Sequence, residues 1–225
     1  MGGLGRVLLS GLLLCGAMSV AEEPWKVVVQ GPVVVKSRPF GGGQVHEVWA
    51  EGDFNVPVKA LQETLLDVKR LPQYMPYVQE ARELARSKDG SRYVYARLKL
   101  PWVTARDYVL HMFVDQRVQA SGLGSFASHW KAEPDKFPKR PHTVRMTLNE
   151  GSWVITPLSE GRSHAVYKFV VDPGGWLPGF ALESAQKSAA LATFHAVGAE
   201  AQRRAGTRIS CIERCSAQRS VAGPL

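Results

Sequence analysis

Apolar and polar residues alternate through much of this chain, and the places where the alternation stops mark its helices and corners. Val27-Val28-Val29 and Val33-Val34-Val35 flank Gly31-Pro32. This predicts two short strands joined by a turn within Trp25–Lys36. After the flexible turn Phe40-Gly41-Gly42-Gly43, Val45 to Phe54 alternates and predicts a third strand. Asn55-Val56-Pro57 signals a helix start. Val58, Leu61, Leu65 and Val68 then recur at three- and four-residue spacing, the apolar face of an amphipathic helix. Leu71-Pro72 breaks it, and Gln73 to Val78 reads as a second short helix or an elbow. The β signal returns at Glu83. In Arg92 to Leu100, Val94, Ala96, Leu98 and Leu100 share one face, and Tyr93, Tyr95, Arg97 and Lys99 the other. Further strands are predicted over Arg106–Gln119, Ser125–Ala132, Val144–Leu148, Ser152–Pro157 and His164–Val171. Pro134 to Pro141 is a proline- and lysine-rich loop that cannot be a strand interior.

Asp172-Pro173-Gly174-Gly175-Trp176-Leu177-Pro178-Gly179-Phe180 ends the last strand. Its glycines permit a sharp turn with φ > 0, and Pro178 suits a first helical turn. The segment Ala181 to Ala205 then reads as a long helix preceded by an apolar hook of Trp176, Leu177 and Phe180. Ala185, Ala189, Ala192, Ala196 and Ala199 run down one side of it; Phe180, Ser184, Lys187, Leu191 and Phe194 run down another. Strands dominate and helices are segregated, so the class is α+β with an antiparallel sheet. A long sheet must curl, and the final helix is available to fill its concave side. Spacing alone favours close helix–sheet packing without a cavity.

The N-terminus changes the picture of where the protein works. Arg6 precedes an apolar run from Val7 to Val20, and Ser19-Val20-Ala21 offers small residues before Glu22. This is the layout of a secretory signal peptide over residues 1–21, with cleavage near Ala21. The run is short for a membrane span. Cys15 follows Leu14, which is not the small residue that a lipoprotein signal wants. The net charge of +8 falls by one when Arg6 is removed. A basic exported protein can favour anionic membrane surfaces, although the positive residues are scattered apart from Lys136/Lys139/Arg140 and Arg203/Arg204/Arg208. Cys211 and Cys215 remain in the tail, able to pair in an oxidising compartment but poorly placed for it in a continued helix.

Four segments, in order, resemble the StAR-related lipid-transfer (START) family of the helix-grip fold. They are Thr104-Ala105-Arg106-Asp107-Tyr108-Val109; Glu133-Pro134 through Pro141 with Val144-Arg145-Met146; Gly151-Ser152-Trp153-Val154-Ile155-Thr156-Pro157; and Asp172 to Pro178. The resemblance covers roughly Val45 to Ala205. It implies a curved antiparallel sheet wrapped around a long C-terminal helix, enclosing one lipid or other hydrophobic molecule. It implies a domain over 22–207 followed by a flexible tail over 208–225. The implied lid is the Pro134–Pro141 loop together with the corner and the start of the last helix. Sterol-binding members often place a buried charged pair in the central strands. The comparable stretch, Val109 to Val114, offers His111 and Met112 with no arginine, which argues against a sterol.

Candidate ligand contacts follow. Tyr74 and Tyr77 would line an entrance, and His111 would hydrogen-bond a head group. Trp176, Leu177 and Phe180 would gate the cavity. Tyr95, Trp130, Met146, Trp153, Ala189 and Ala192 would line it. Arg106 and Asp107 are read as structural, able to form an ion pair that anchors their strand. Catalysis finds little support: there is no Gly-x-Ser-x-Gly, and adjacent Ser163-His164 face opposite ways on a strand. No metal spacing lies near the cysteines, no cofactor is implied, and no basic-aromatic nucleic-acid motif is present. The expectation is a monomeric, exported, periplasmic or secreted carrier of a hydrophobic molecule, with transient membrane-surface contact. The alternatives are a polyketide-cyclase-type enzyme or a partner-binding domain whose cavity is filled.

Overall fold

The computed structural model describes residues 23–101, 103–175 and 179–221, with side chains in the last segment described for 184–206. The signal-peptide reading, Cys15, Trp176 and Leu177 lie outside these residues, as do the side chains of Phe180, Cys211 and Cys215. The strands are β1 (Lys26–Val29), β2 (Val33–Pro39), β3 (His46–Phe54), β4 (Val78–Arg86), β5 (Arg92–Leu98), β6 (Ala105–Gln116), β7 (Phe126–Ala132), β8 (Thr143–Arg145), β9 (Leu148–Ser159) and β10 (Arg162–Asp172). Helices α1 (Val58–Leu66) and α2 (Leu71–Tyr74) follow β3, and α3 (Gly179–Val221) closes the chain. The sheet runs β1-β2-β3-β10-β9-β7-β6-β5-β4, antiparallel throughout this path. It is the curved antiparallel sheet with a C-terminal helix that the α+β reading requires.

One expected strand divides. The sequence predicts a single antiparallel segment over Val144–Leu148. Instead β8 ends at Arg145 and pairs in parallel with β6, while β9 begins at Leu148. Three residues are too few for alternation to reveal direction. The terminal helix also continues past Ala205, where the sequence pattern ends it, to Val221. Arginine, alanine, glutamate and glutamine there are adequate helix formers, and one internal glycine, Gly206, costs only about 1 kcal/mol.

Register separates the two faces of the sheet. Tyr167 of β10 lies between Ala50 and Trp153; Trp153 opposes Ser128, Ser128 opposes Val114, and Met112 opposes Arg92. Alternation then assigns Val48, Ala50, Phe54, Val94, Ala96, Tyr108, Leu110, Met112, Phe126, Trp130, Trp153, Ile155, Ala165, Tyr167 and Phe169 to the inner face, the side on which α3 packs. From α3, Gln186, Ala190, Phe194, Val197 and Ala201 are buried. Their four-, four-, three- and four-residue spacing is one helical stripe. Phe194 stacks on Phe54 at 4.5 Å and lies 5.8 Å from Trp153. Gly198 makes this approach possible, because a Cβ there would stand 2.4 Å from the Phe54 ring.

Charge ties the helices to one another. Glu200 accepts from Arg203 at 2.7 Å and from Arg70 and Arg204 at 3.1 Å, and Arg204 reaches Asp67 at 2.6 Å. The hydrogen bonds from Arg203, with those from Arg204, hold the Glu200 carboxyl at about 2. Among the described residues no helix is long and apolar enough to cross a membrane.

Candidate functional site

The inner face contains a patch of side chains that adjoin the core yet keep accessible surface. The principal contacts of α3 are with α1, α2, β2 and β3, on one half of the sheet. On the other half stand Tyr108, Met112 and Val114 of β6, and Tyr167 at the junction. All four are only half-buried, as is Leu191 of α3. Tyr108 and Tyr167 each keep accessible surface on this face. Burial pushes the Tyr108 hydroxyl up to about 12 and raises that of Tyr167 as well. Both therefore stay protonated at any physiological pH.

Trp130 and Trp153 belong to the same wall. Trp130 donates its Nε1–H to Asn149 Oδ1 at 3.0 Å and lies across Gly151, where a Cβ would meet its ring at 2.4 Å. Trp153 stacks on Tyr167 at 4.3 Å, and Tyr167 on Phe169 at 4.9 Å. The result is a continuous aromatic surface built from β7, β9 and β10. Ala192 is half-buried on α3.

Other expected ligand contacts sit elsewhere. Ala189 is exposed: the buried stripe runs through Gln186, Ala190 and Phe194, one position round the helix from the alanine stripe read in the sequence. Tyr95 is fully buried but on the outer face, 4.9 Å from Phe137 and flanked by Arg82 and Arg140. His111 is also on the outer face, stacked between Tyr93 at 4.3 Å and Phe113 at 4.1 Å, with Nε2 at 2.9 Å from Ser91 Oγ. Neither faces the concave side. Tyr77 is 53% exposed in a turn with φ 62°. Tyr74 donates its hydroxyl to the Thr64 carbonyl at 3.1 Å, and burial raises it; it packs the α1–α2 elbow. Met146 is buried just after β8, its N–H donating to the Asp107 carbonyl at 2.9 Å.

Arg106 and Asp107 do not pair with each other. Adjacent strand residues face opposite ways, so Arg106 points inward with Tyr108 while Asp107 points outward. Asp107 receives Arg145 on both oxygens, at 2.7 and 3.1 Å. Arg145 also donates to the carbonyls of Pro134, Phe137 and Pro138, and Arg140 makes a two-pronged contact with Glu80 at 2.9 and 3.0 Å. These bonds fix the Pro134–Pro141 loop to the outer face. It is held away from the concave side, so this loop does not form the lid expected of it.

The residues that the sequence reading missed are Tyr108, Met112, Tyr167, Leu191 and an inward Arg106. Alternation through β6 held the signal for three of them, once Leu110 is placed inside. Separately, a groove of about 340 Å³ opens among Leu66, Asp67, Val68, Lys69, Glu83, Arg86 and Arg92, mostly charged side chains. Among the described residues no group of three or more His, Cys, Asp or Glu is arranged to hold a metal.

Comparison with known proteins agrees with this architecture. Residues 54–197 match the family described as polyketide cyclase / dehydrase and lipid transport. An uncharacterised protein of Pseudomonas aeruginosa is 27% identical over 203 residues, covering 89% of this chain and 98% of its own. The structure of a STAR-related lipid transfer protein fragment from Xanthomonas axonopodis superposes with a TM-score of 0.69 at 22% identity, covering 80% of this chain and 99% of that one. Human STARD10 gives a TM-score of 0.72 at 16% identity, covering 87% and 80%.

Proposed function

Because this chain belongs to the polyketide cyclase / dehydrase and lipid transport family and has the START helix-grip fold, we propose that it binds one hydrophobic molecule between its concave sheet and α3, and carries it without covalent chemistry. The observation that carries this reading is the pair Tyr108 and Tyr167. Each keeps accessible surface on the concave face beside half-buried Met112 and Leu191, which supports room for a guest there. Such a guest would lie against Met112, Trp130, Trp153, Tyr167 and Leu191. An apolar guest gains about 25 cal/mol per Å² of surface removed from water, which suffices for binding without a reactive group.

The N-terminal layout supports a site of action outside the cytosol, where a molecule insoluble in water needs a shield to move between membranes. Native mass spectrometry of protein purified from its own cells tests the carrier reading. A co-purifying lipid of defined mass is expected. Bare protein, under conditions that preserve lipid complexes of other carriers, overturns it. The family's description also names cyclases and dehydrases. Turnover of a cyclisable polyketide, lost when Tyr108 or Tyr167 is replaced by phenylalanine, would favour that chemistry; His111 stands on the wrong face for it.

A further inference from the structure

Arg106 is the one deeply covered arginine of the sheet with no carboxylate beside it among the described residues. It is 2% exposed and heads β6 on the inner face, opposite Leu98 and two residues before Tyr108. Its Nη1 donates to the Thr104 carbonyl. Its Nη2 reaches the Gly174 carbonyl only at 3.4 Å, and its Nε is buried with no acceptor. The two other buried arginines differ: Arg145 holds Asp107 at 2.7 Å, and Arg92 lies 3.7 Å from Glu83. Burial alone acts on the Arg106 guanidinium and pulls it below its usual range, with no anion to counter it.

Arg106 is shielded from water by a layer of protein. Part of that layer is the glycine corner between β10 and α3. A Cβ on Gly175 would stand 3.7 Å from Nη2, and one on Gly174 would stand 3.0 Å from Val144, the β8 partner of Arg106. Nε and Nη2 form one edge of the guanidinium fork. That same edge in Arg145 grips both oxygens of Asp107. In Arg106 the edge has a single long contact. A dry cation without a counter-charge is costly, and a two-oxygen anion is its geometric complement.

We propose that Arg106 receives the acidic head group, carboxylate or phosphate, of the hydrophobic molecule whose chain occupies the inner space. This rests on the carrier reading above and narrows it to anionic amphiphiles. The test measures binding of palmitate, hexadecyl phosphate, methyl palmitate and inorganic phosphate to the delipidated full chain by calorimetry. At least one acidic amphiphile should bind about tenfold or more tighter than the neutral ester, the scale of one charge-assisted hydrogen bond. Inorganic phosphate alone should show no saturable binding. Arg106→Gln should remove the preference by weakening the acid and sparing the ester, and Arg106→Lys should retain part of it.

Equal affinity for acids and ester in the wild type overturns the head-group role and leaves the carrier reading standing. No binding of any amphiphile overturns both. Inorganic phosphate bound as tightly as the amphiphiles, and lost in Arg106→Gln, overturns the head-group role in favour of a free-anion site. The comparison within the wild type decides the matter even where Arg106→Gln fails to fold.

Discussion

Replacing Arg145 with methionine separates two roles for the Pro134–Pro141 loop. Asp107 and Arg145 are buried together, their side chains 1% and 3% exposed. Arg145→Met leaves the Asp107 carboxylate without its two donors, and frees the carbonyls of Pro134, Phe137 and Pro138. The loop carbonyls lie close to solvent and can find water, so the stranded carboxylate dominates. Breaking a buried pair in this way costs about 3–5 kcal/mol. For a chain of this size that lowers Tm by roughly 10 °C. The double variant Asp107→Leu/Arg145→Met removes both charges and should lose less than Arg145→Met alone, a coupling that only partners show. Urea denaturation of the wild type, the two single variants and the double variant measures the cycle. Exchange of a fluorescent lipid, followed below the unfolding transition, should be unaltered, because the loop is fixed to the outer face. A loss under about 1 kcal/mol in Arg145→Met would refute the brace, and faster lipid exchange in the folded variant would restore the loop as a lid.

Three further outcomes are expected. The Glu200 carboxyl titrates at about 2 against an ordinary 4.5, so it stabilises the fold fully above about pH 4.5, and that stabilisation fades as pH falls toward 2. The shift sets an upper limit of about 3 kcal/mol, and screening near the surface brings it to about 1–2 kcal/mol. Glu200→Gln should lose that amount at pH 7 and show a flatter stability profile between pH 5 and 2 in denaturant titrations. Met112→Trp should cut lipid loading severalfold by filling the inner space, with its fold checked by circular dichroism. Ala189→Trp, on the solvent side of α3, should load like the wild type; impaired loading in Ala189→Trp alone would place the ligand outside the concave face.

Alternation and corner chemistry made the strands, α1 and the β10–α3 junction legible in the sequence. Alternation in β5 puts Val94 and Ala96 on the apolar face and Tyr95 opposite, and the structure keeps that division. The same rule applied through β6 puts His111 on the outer face with Tyr95. The orientation of α3 was harder to read, because alanines surround the helix and a methyl group encodes no side. Phe194 and Val197 do encode one, and they give the buried stripe. Arg106 and Asp107 were read as a pair because they are neighbours in the sequence, which on a strand is the one arrangement that keeps them apart. The site of the Pro134–Pro141 loop depends on Arg145 meeting Asp107 across 38 residues, a contact that no local pattern reports.

The pairing of β3 with β10 joins residues 46–54 to residues 162–172. No shorter portion of the chain can close the sheet, since β3 has only β2 beside it until β10 has emerged. Closing so long a loop carries an entropic cost before any contact offsets it, and such topologies fold slowly. The β1–β3 and β4–β9 portions of the sheet therefore cannot join until most of this polypeptide has left the ribosome.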